Sequence, residues 1–226
     1  MNDSRVQQLR STSRHNLPAP RSSFIGREQE VLEVRRELET TRLLTLTGAG
    51  GSGKTRLALE VARDLVDTYS DGVWLVELAP LSEEELVPKA VAEALEVAER
   101  PGEPLADTLT EVLGTRELLL VVDNCEHLLD ATARLADSLL DSCPHVRILA
   151  TSREALGVEG EVRWPVPPLS APESQRSLTV EELQSSESVR LFLARARNRD
   201  PSFTFTPGSA RAVAEVCSKL ESIPLA

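Results

Sequence analysis

The stretch Gly48-Ala49-Gly50-Gly51-Ser52-Gly53-Lys54-Thr55 matches the pattern G-x-x-x-x-G-K-S/T. A short β-rich run (residues 42–47) precedes it, and a helical pattern (54–67) follows it. Glycines let successive backbone N–H groups point at phosphate oxygens, and the helix N-terminus adds partial positive charge. A glycine-rich turn without a ligand is the alternative, but four glycines and a Lys-Thr pair exceed what a turn needs. We therefore predict that this loop binds nucleotide phosphates.

Each residue type in the loop has an expected part in that binding. Lys54 is predicted to bridge the β- and γ-phosphates, and the Thr55 hydroxyl is predicted to hold Mg²⁺. The residues predicted to contact the nucleotide here are Gly48, Ala49, Gly50, Gly51, Ser52, Gly53, Lys54, Thr55 and Arg56.

Strand and helix patterns alternate on both sides of the loop. Further strands are predicted over 73–78, 117–122, 146–150 and 161–166, with helices over 87–98 and 127–142. Near-continuous aliphatic strands that alternate with helices are typical of a parallel sheet covered on both faces. The predicted fold class is therefore α/β, a parallel β-sheet with helices on both faces, followed by the start of an α-helical domain.

The chain divides into three predicted segments. Residues 1–20 are polar, have little to bury, and are predicted to form a flexible N-terminal arm. Residues 21–172 form the predicted P-loop nucleotide-binding domain. Residues 173–226 are predicted to be a linker and a partial helical domain, with helices over 186–198 and 209–220. We expect this second domain to be truncated in the sequence.

Charge and composition exclude several classes of function. The 25 basic residues against 36 acidic ones give a net charge of −11, which disfavours direct DNA contact by this segment. The longest aliphatic run, 118–122, is far shorter than the roughly 20 residues of a membrane span, and no secretory signal is present. The three cysteines, Cys125, Cys143 and Cys217, are odd in number and lack close pair spacing, which indicates buried reduced thiols. We therefore predict a cytoplasmic location.

A carboxylate for Mg²⁺ is expected at the end of a strand, and Asp123 follows the aliphatic run 118–122. Hydrolytic P-loop proteins commonly place an acidic residue directly after this aspartate to polarise water. Here that position is Asn124, an amide that cannot accept a proton. Glu126 is a candidate substitute, but a helix N-terminal charge explains it equally well.

Thr151-Ser152-Arg153 follows the strand predicted over 146–150. If this strand lies between the other two motif strands, Arg153 faces the γ-phosphate and can sense or stabilise its charge. A helix cap with an exposed arginine is the equally weighted alternative.

Together these blocks resemble the STAND class of signal-transduction ATPases, the NB-ARC-like group with an ASCE/AAA-like P-loop fold. They are most similar to bacterial LuxR-type and antibiotic-regulatory (SARP-like) transcriptional regulators. The matching blocks are the Leu17-Pro-Ala-Pro and Phe24-Ile-Gly-Arg-Glu stretches, the 48–55 loop, Leu118-Leu-Leu-Val-Val-Asp-Asn-Cys-Glu-His, Ile148-Leu-Ala-Thr-Ser-Arg-Glu-Ala-Leu and Leu220-Glu-Ser-Ile-Pro-Leu-Ala.

The resemblance implies further roles for residues outside the loop. It implies that Gly26 and Arg27 pack beside adenine and that Asp123 binds Mg²⁺. It also implies that Arg153 reads the γ-phosphate and that Pro224 touches the base side of the nucleotide. Ser222 departs from the family's G-x-P motif, in which a glycine takes that position.

The resemblance also implies a switch, in which ADP holds a closed form and ATP opens it for signalling or homo-oligomerisation. Winged-helix, repeat and helix-turn-helix modules usually accompany such domains. We therefore predict an ATP/ADP-binding regulatory switch with slow Mg²⁺-dependent hydrolysis, in which Lys54, Asp123 and Arg153, and less securely Glu126, serve catalysis. The alternatives are a P-loop enzyme acting on a small molecule and a non-hydrolysing scaffold stabilised by nucleotide.

Overall fold

A parallel β-sheet forms the centre of the protein. The computed structural model describes residues 14–172, 179–220 and 222–224, and within these ranges the sheet has the order β2-β3-β4-β1-β5. The strands are β1 (Leu43–Thr47), β2 (Val73–Glu77), β3 (Leu118–Asp123), β4 (Val146–Ser152) and β5 (Glu161–Pro165). Every neighbouring pair runs parallel, which confirms the predicted sheet. Strand β4, which precedes Arg153, lies between β1 and β3, as the prediction that Arg153 faces the γ-phosphate requires.

Helices cover the sheet and continue beyond it. They are α1 (Glu28–Thr40), α2 (Lys54–Asp64), α3 (Leu86–Ala94), α4 (Leu105–Leu113), α5 (Leu129–Ser142), α6 (Val180–Ser185), α7 (Glu187–Arg199) and α8 (Pro207–Lys219). A single 3₁₀ turn, Cys125–His127, separates β3 from α5, so the helix predicted from 127 begins two residues later.

Alternating side chains of β3 bury both faces of the sheet. Leu118, Leu120 and Val122 pack into the core formed with α3, α4 and α5. Leu119 and Val121 point the other way, into the core formed with α1 and α2. A strand that is apolar on both faces is expected only in the middle of a covered parallel sheet, and β3 is buried along its whole length.

Residues 14–17 of the predicted flexible arm lie along the edge of β2. The Val73 N–H donates to the Arg14 carbonyl (2.8 Å), and His15 forms a parallel bridge with Val73. The Asn16 side chain donates to the Leu75 carbonyl (2.8 Å) and accepts from the Leu75 N–H (2.6 Å). Leu17 is buried in the core beside α1 and α2. Residues 1–13 of the predicted arm lie outside the described residues.

The last three helices form a small core of their own, called here the helical unit (179–220 and 222–224). Two helices were predicted, and the structure adds α6, which begins with a capping box between Thr179 and Glu182. Phe192 and Phe203 meet edge to face, with ring centroids 6.4 Å apart. Of the linker predicted before residue 186, residues 173–178 lie outside the described residues, and α6 occupies most of the remainder.

The three cysteines are free and buried, as predicted for small core residues. Among the described residues, no helix has both the length and the apolar character that crossing a membrane requires.

Candidate functional site

The loop between β1 and α2, called here the phosphate loop (residues 48–53), lies at the carboxyl edge of the sheet. Gly53 precedes α2 with a φ of +92°, a conformation that L side chains rarely adopt, so glycine is needed there. Lys54 is the first residue of α2, and its Nζ donates to the carbonyls of Gly48 (2.8 Å) and Ala49 (3.0 Å). Burial lowers the pKa of Lys54, while Glu126 and Asp123 nearby favour its charged form.

Asp123 ends β3, and its carboxylate connects this strand with α2 and β4. Its Oδ1 accepts hydrogen bonds from the Thr55 hydroxyl (2.7 Å) and the Thr151 hydroxyl (2.6 Å). Thr151 lies on β4, and its Oγ1 in turn accepts from the backbone N–H of Asn124 (2.9 Å). The predicted magnesium pair, Thr55 and Asp123, is therefore brought together. Thr151 is a site residue that sequence reasoning missed, because its contact with Asp123 exists only once β4 lies beside β3.

Arg153 and Glu126 form an ion pair above the phosphate loop. Arg153 Nε lies 3.2 Å from Glu126 Oε1, and the Arg153 side chain is 69% exposed whereas that of Glu126 is 18% exposed. Arg153 Nη2 lies 3.7 Å from the point where a Cβ on Gly50 would stand. The arginine therefore sits over the loop, where the terminal phosphate is expected.

Arg27 lines the cavity and also supports the phosphate loop. Its Nη2 donates to the carbonyls of Ser52 (2.8 Å) and Pro167 (2.7 Å). Burial lowers the pKa of Arg27, and Glu30 and Glu187 oppose that effect. On this side of the cavity the wall also includes Ser23, Phe24 and Ile25, which sequence reasoning did not single out.

Arg56 and Pro224 both line the cavity, and each has a second contact. The Arg56 guanidinium donates to the Ser22 hydroxyl (3.0 Å) and the Ser23 carbonyl (2.9 Å), so it holds the segment before α1. Pro224 Cγ lies 3.6 Å from the point where a Cβ on Gly53 would stand. The structure thus brings Pro224, far along the chain, to the phosphate loop.

Glu187 ties the helical unit to the other side of the site. It lies in the first turn of α7, and its Oε1 accepts from the Arg27 N–H (2.5 Å). Its Oε2 accepts from the Ser170 N–H (2.9 Å), while its own N–H donates to the Ser170 hydroxyl (2.9 Å). Burial by itself would raise the pKa of Glu187, but the hydrogen bonds from Ser170 and Arg27 outweigh it and leave the pKa lowered.

These groups surround a cavity of about 410 Å³ between the sheet and the helical unit. Apolar atoms come from Phe24, Ile25, Leu169, Leu191 and Pro224, and charged groups from Arg27, Lys54, Arg56, Glu126, Arg153 and Arg195. Arg195 lies on α7 and was not predicted, because nothing in its local sequence distinguishes it from other helical arginines. A cavity lined by both apolar and cationic groups suits a nucleotide, which has an apolar base and anionic phosphates.

The donor set also fits Mg²⁺ and a nucleotide. Hydroxyl and carboxylate oxygens are the ligands that Mg²⁺ prefers, and Thr55 and Asp123 supply both at one point. Two buried polar atoms beside the loop, Ser52 Oγ and Arg27 Nη1, have no hydrogen-bond partner within the described part of the chain. When bound, Mg²⁺ would neutralise charge on the β- and γ-phosphates.

Comparison with known proteins agrees with this geometry. A family model described as an AAA domain matches residues 35–158. An uncharacterized protein of Mycobacterium tuberculosis is 40% identical over 216 residues, which are 96% of this chain and 50% of that protein. A second M. tuberculosis protein, provisionally named an HTH-type transcriptional regulator, is 42% identical over 193 residues, 85% of this chain and 20% of that protein. The chain thus spans half or less of the length of these relatives.

Among solved structures, the fold is similar to that of a STAND protein with a tetratricopeptide repeat sensor from Pyrococcus horikoshii. The TM-score is 0.55 at 16% sequence identity, and the match covers 92% of this chain and 29% of that one. At this identity the likeness concerns the fold alone.

Proposed function

The chain belongs to the AAA domain family of P-loop NTPases, and on that premise we propose that it is the ATP- and ADP-binding switch of a transcriptional regulator. One observation carries the proposal: the cavity is closed on one side by the phosphate loop and on the other by the helical unit. A nucleotide in that cavity touches both parts, so its phosphate count can change how they are held together.

The phosphate end supplies the groups that would distinguish ATP from ADP. We assign Lys54 and Arg153 to the terminal phosphate, and Arg195 on α7 is a further cation that lines the cavity. Lys54 can bond the β-phosphate of either nucleotide, whereas a charge-assisted hydrogen bond from any of these cations to the γ-phosphate is gained only with ATP. We propose that this difference shifts the helical unit between two arrangements.

The context of a regulator rests on similarity. A relative that is 42% identical over 85% of this chain carries a provisional name as an HTH-type transcriptional regulator, and a STAND protein shares the fold. Winged-helix and repeat modules, cytoplasmic location and ATP-dependent homo-oligomerisation are part of the same proposal. Asn124 follows Asp123 where a general base is expected, so hydrolysis is proposed to be slow.

Titration calorimetry with ADP and with ATP, each with and without Mg²⁺, tests nucleotide binding. Lys54→Ala is expected to weaken binding roughly 10- to 150-fold, because a charge-assisted hydrogen bond is worth about 1.5–3 kcal/mol. Lys89→Ala is the matched control, since Lys89 is exposed on α3 and should leave the affinity unchanged. Equal nucleotide affinity in the two variants would show that Lys54 does not bind the phosphates.

Turnover and shape separate the switch from its alternatives. A small-molecule kinase typically turns over at about 1–100 s⁻¹, whereas the switch should be far slower. X-ray scattering should differ between the ADP form and the form with a non-hydrolysed ATP analogue. A scaffold that merely retains nucleotide would give the same scattering curve with both.

A further inference from the structure

His127 holds two backbone carbonyls with one ring nitrogen. Its Nε2 lies 3.1 Å from the Leu78 carbonyl oxygen and 3.0 Å from the Leu81 carbonyl oxygen, both in the connection that follows β2. A carbonyl oxygen can only accept, so Nε2 must carry the proton in this arrangement. The neutral imidazole has one donor and one acceptor nitrogen, and Nδ1 is therefore the acceptor.

That acceptor faces the side chain of Asn124. Nδ1 lies 3.3 Å from Asn124 Nδ2, so the amide NH₂ donates to the ring and Asn124 Oδ1 is turned away from it. The backbone of Asn124 is fixed as well, because it takes a left-handed conformation with φ 66° and its N–H donates to Thr151 Oγ1. Since Asn124 lines the cavity, Oδ1 is the side-chain atom left for a ligand there.

We infer that His127 is a positioning residue that selects the amide orientation of Asn124, so that Oδ1 and not Nδ2 faces the terminal phosphate region. The inference rests on the proposed nucleotide site. The Asn124 amide oxygen at this point can accept a hydrogen bond from a water molecule and so orient the water oxygen toward the γ-phosphorus. In hydrolysis the water oxygen forms the new P–O bond as the bond between the γ-phosphorus and the β,γ-bridging oxygen breaks. ADP leaves with the bond's electron pair, and the water proton passes to a phosphate oxygen because an amide cannot take it.

The reverse orientation would have the opposite effect. With Nδ2 toward the cavity, Asn124 would present a donor, which competes for phosphate oxygens and leaves the water without its acceptor. The ring of His127 thus determines whether Asn124 presents its acceptor, Oδ1, or its donor, Nδ2, to the cavity.

Two substitutions separate positioning from a simple structural tie. His127→Asn keeps an acceptor near the position of Nδ1 and loses the reach to Leu78 and Leu81. His127→Gln keeps a donor near the position of Nε2, so it retains the tie to those carbonyls. We expect the asparagine variant to keep kcat within about twofold and the glutamine variant to lose roughly tenfold in kcat, with KM unchanged in both.

Steady-state hydrolysis of labelled ATP at varied concentration measures kcat and KM, and calorimetry with ADP measures binding in the same proteins. Loss of rate in His127→Asn with rate retained in His127→Gln would overturn the inference, and so would equal rates in both. Absence of ADP binding by the unaltered chain would instead overturn the proposed function. Independently of turnover, ¹⁵N NMR of the His127 ring in the unaltered chain should show the Nε2–H tautomer at neutral pH. An Nδ1–H tautomer would contradict the assignment.

Discussion

Replacing Gly26 with alanine tests whether Glu187 holds the two parts of the site together. Gly26 has a φ of +74°, and a Cβ there would stand 2.7 Å from Glu187 Oε1 and 3.0 Å from Glu187 Cβ. Such contacts are too short, so the Glu187 side chain must move. Its hydrogen bond with the Arg27 N–H is then lost.

The expected magnitude follows from two contributions. The left-handed conformation costs a residue with a Cβ about 1–2 kcal/mol, and a hydrogen bond to a charged group contributes about 1.5–3 kcal/mol. Glu187 is half-buried, so water replaces part of the second contribution. We therefore expect Gly26→Ala to lower the free energy of unfolding by about 2–4 kcal/mol.

Gly102→Ala provides the matched control for this substitution. Gly102 has a similar φ of +84°, and nothing among the described residues lies within 4 Å of the added Cβ. It should lose only the cost of the conformation, about 1–2 kcal/mol. Urea unfolding followed by circular dichroism measures both losses, and ADP calorimetry should show weaker binding in Gly26→Ala alone. Equal losses of stability in the two variants would refute the role given to Glu187.

Three further changes test other parts of the site. Asp123→Asn should abolish the dependence of nucleotide affinity on Mg²⁺ while ADP still binds, as calorimetry with and without Mg²⁺ would show; unchanged magnesium linkage would contradict the role of the carboxylate. Ser222→Gly should stabilise the protein by about 1 kcal/mol, because Ser222 has φ 54° and its buried hydroxyl lacks a partner among the described residues, and a lower thermal midpoint would contradict this. Because the pKa of Glu187 is lowered from 4.5, its stabilising effect is complete above that pH and is lost as the pH falls through the lowered value. The difference in thermal midpoint between the unaltered chain and Glu187→Gln should therefore shrink on acidification, and a constant difference would show that the carboxylate charge is irrelevant.

Much of the sheet could be predicted because its strands are buried on both faces. The aliphatic runs of β1, β3 and β4 have few alternatives to a covered parallel sheet, and Asp123 follows directly from the end of one of them. The G-K-T sequence located the phosphate loop because the chemistry of phosphate binding is local. The position of β4 between β1 and β3 was a condition, and the structure meets it.

The missed features depend on partners far away in sequence. Helix α1 is not predicted from the sequence, because it is rich in charged residues and its buried side chains, Val31, Val34 and Leu38, form a narrow apolar stripe. The contact between Arg27 and Glu187 joins residues 160 positions apart, so no local pattern announces it. The structure also explains a departure noted in the sequence. Ser222 has a left-handed backbone conformation, which glycine adopts without strain, so glycine suits that position in the G-x-P motif.

The short segment 14–17 along β2 has a consequence for how this protein behaves in solution. An uncovered strand offers a row of free amides and carbonyls that can recruit strands of other molecules and start aggregation. Here the N–H groups of Val73 and Leu75 are already taken by Arg14 and Asn16. A shorter version starting after Leu17 would bare that edge, and self-association through it would be the first difficulty in handling such a fragment.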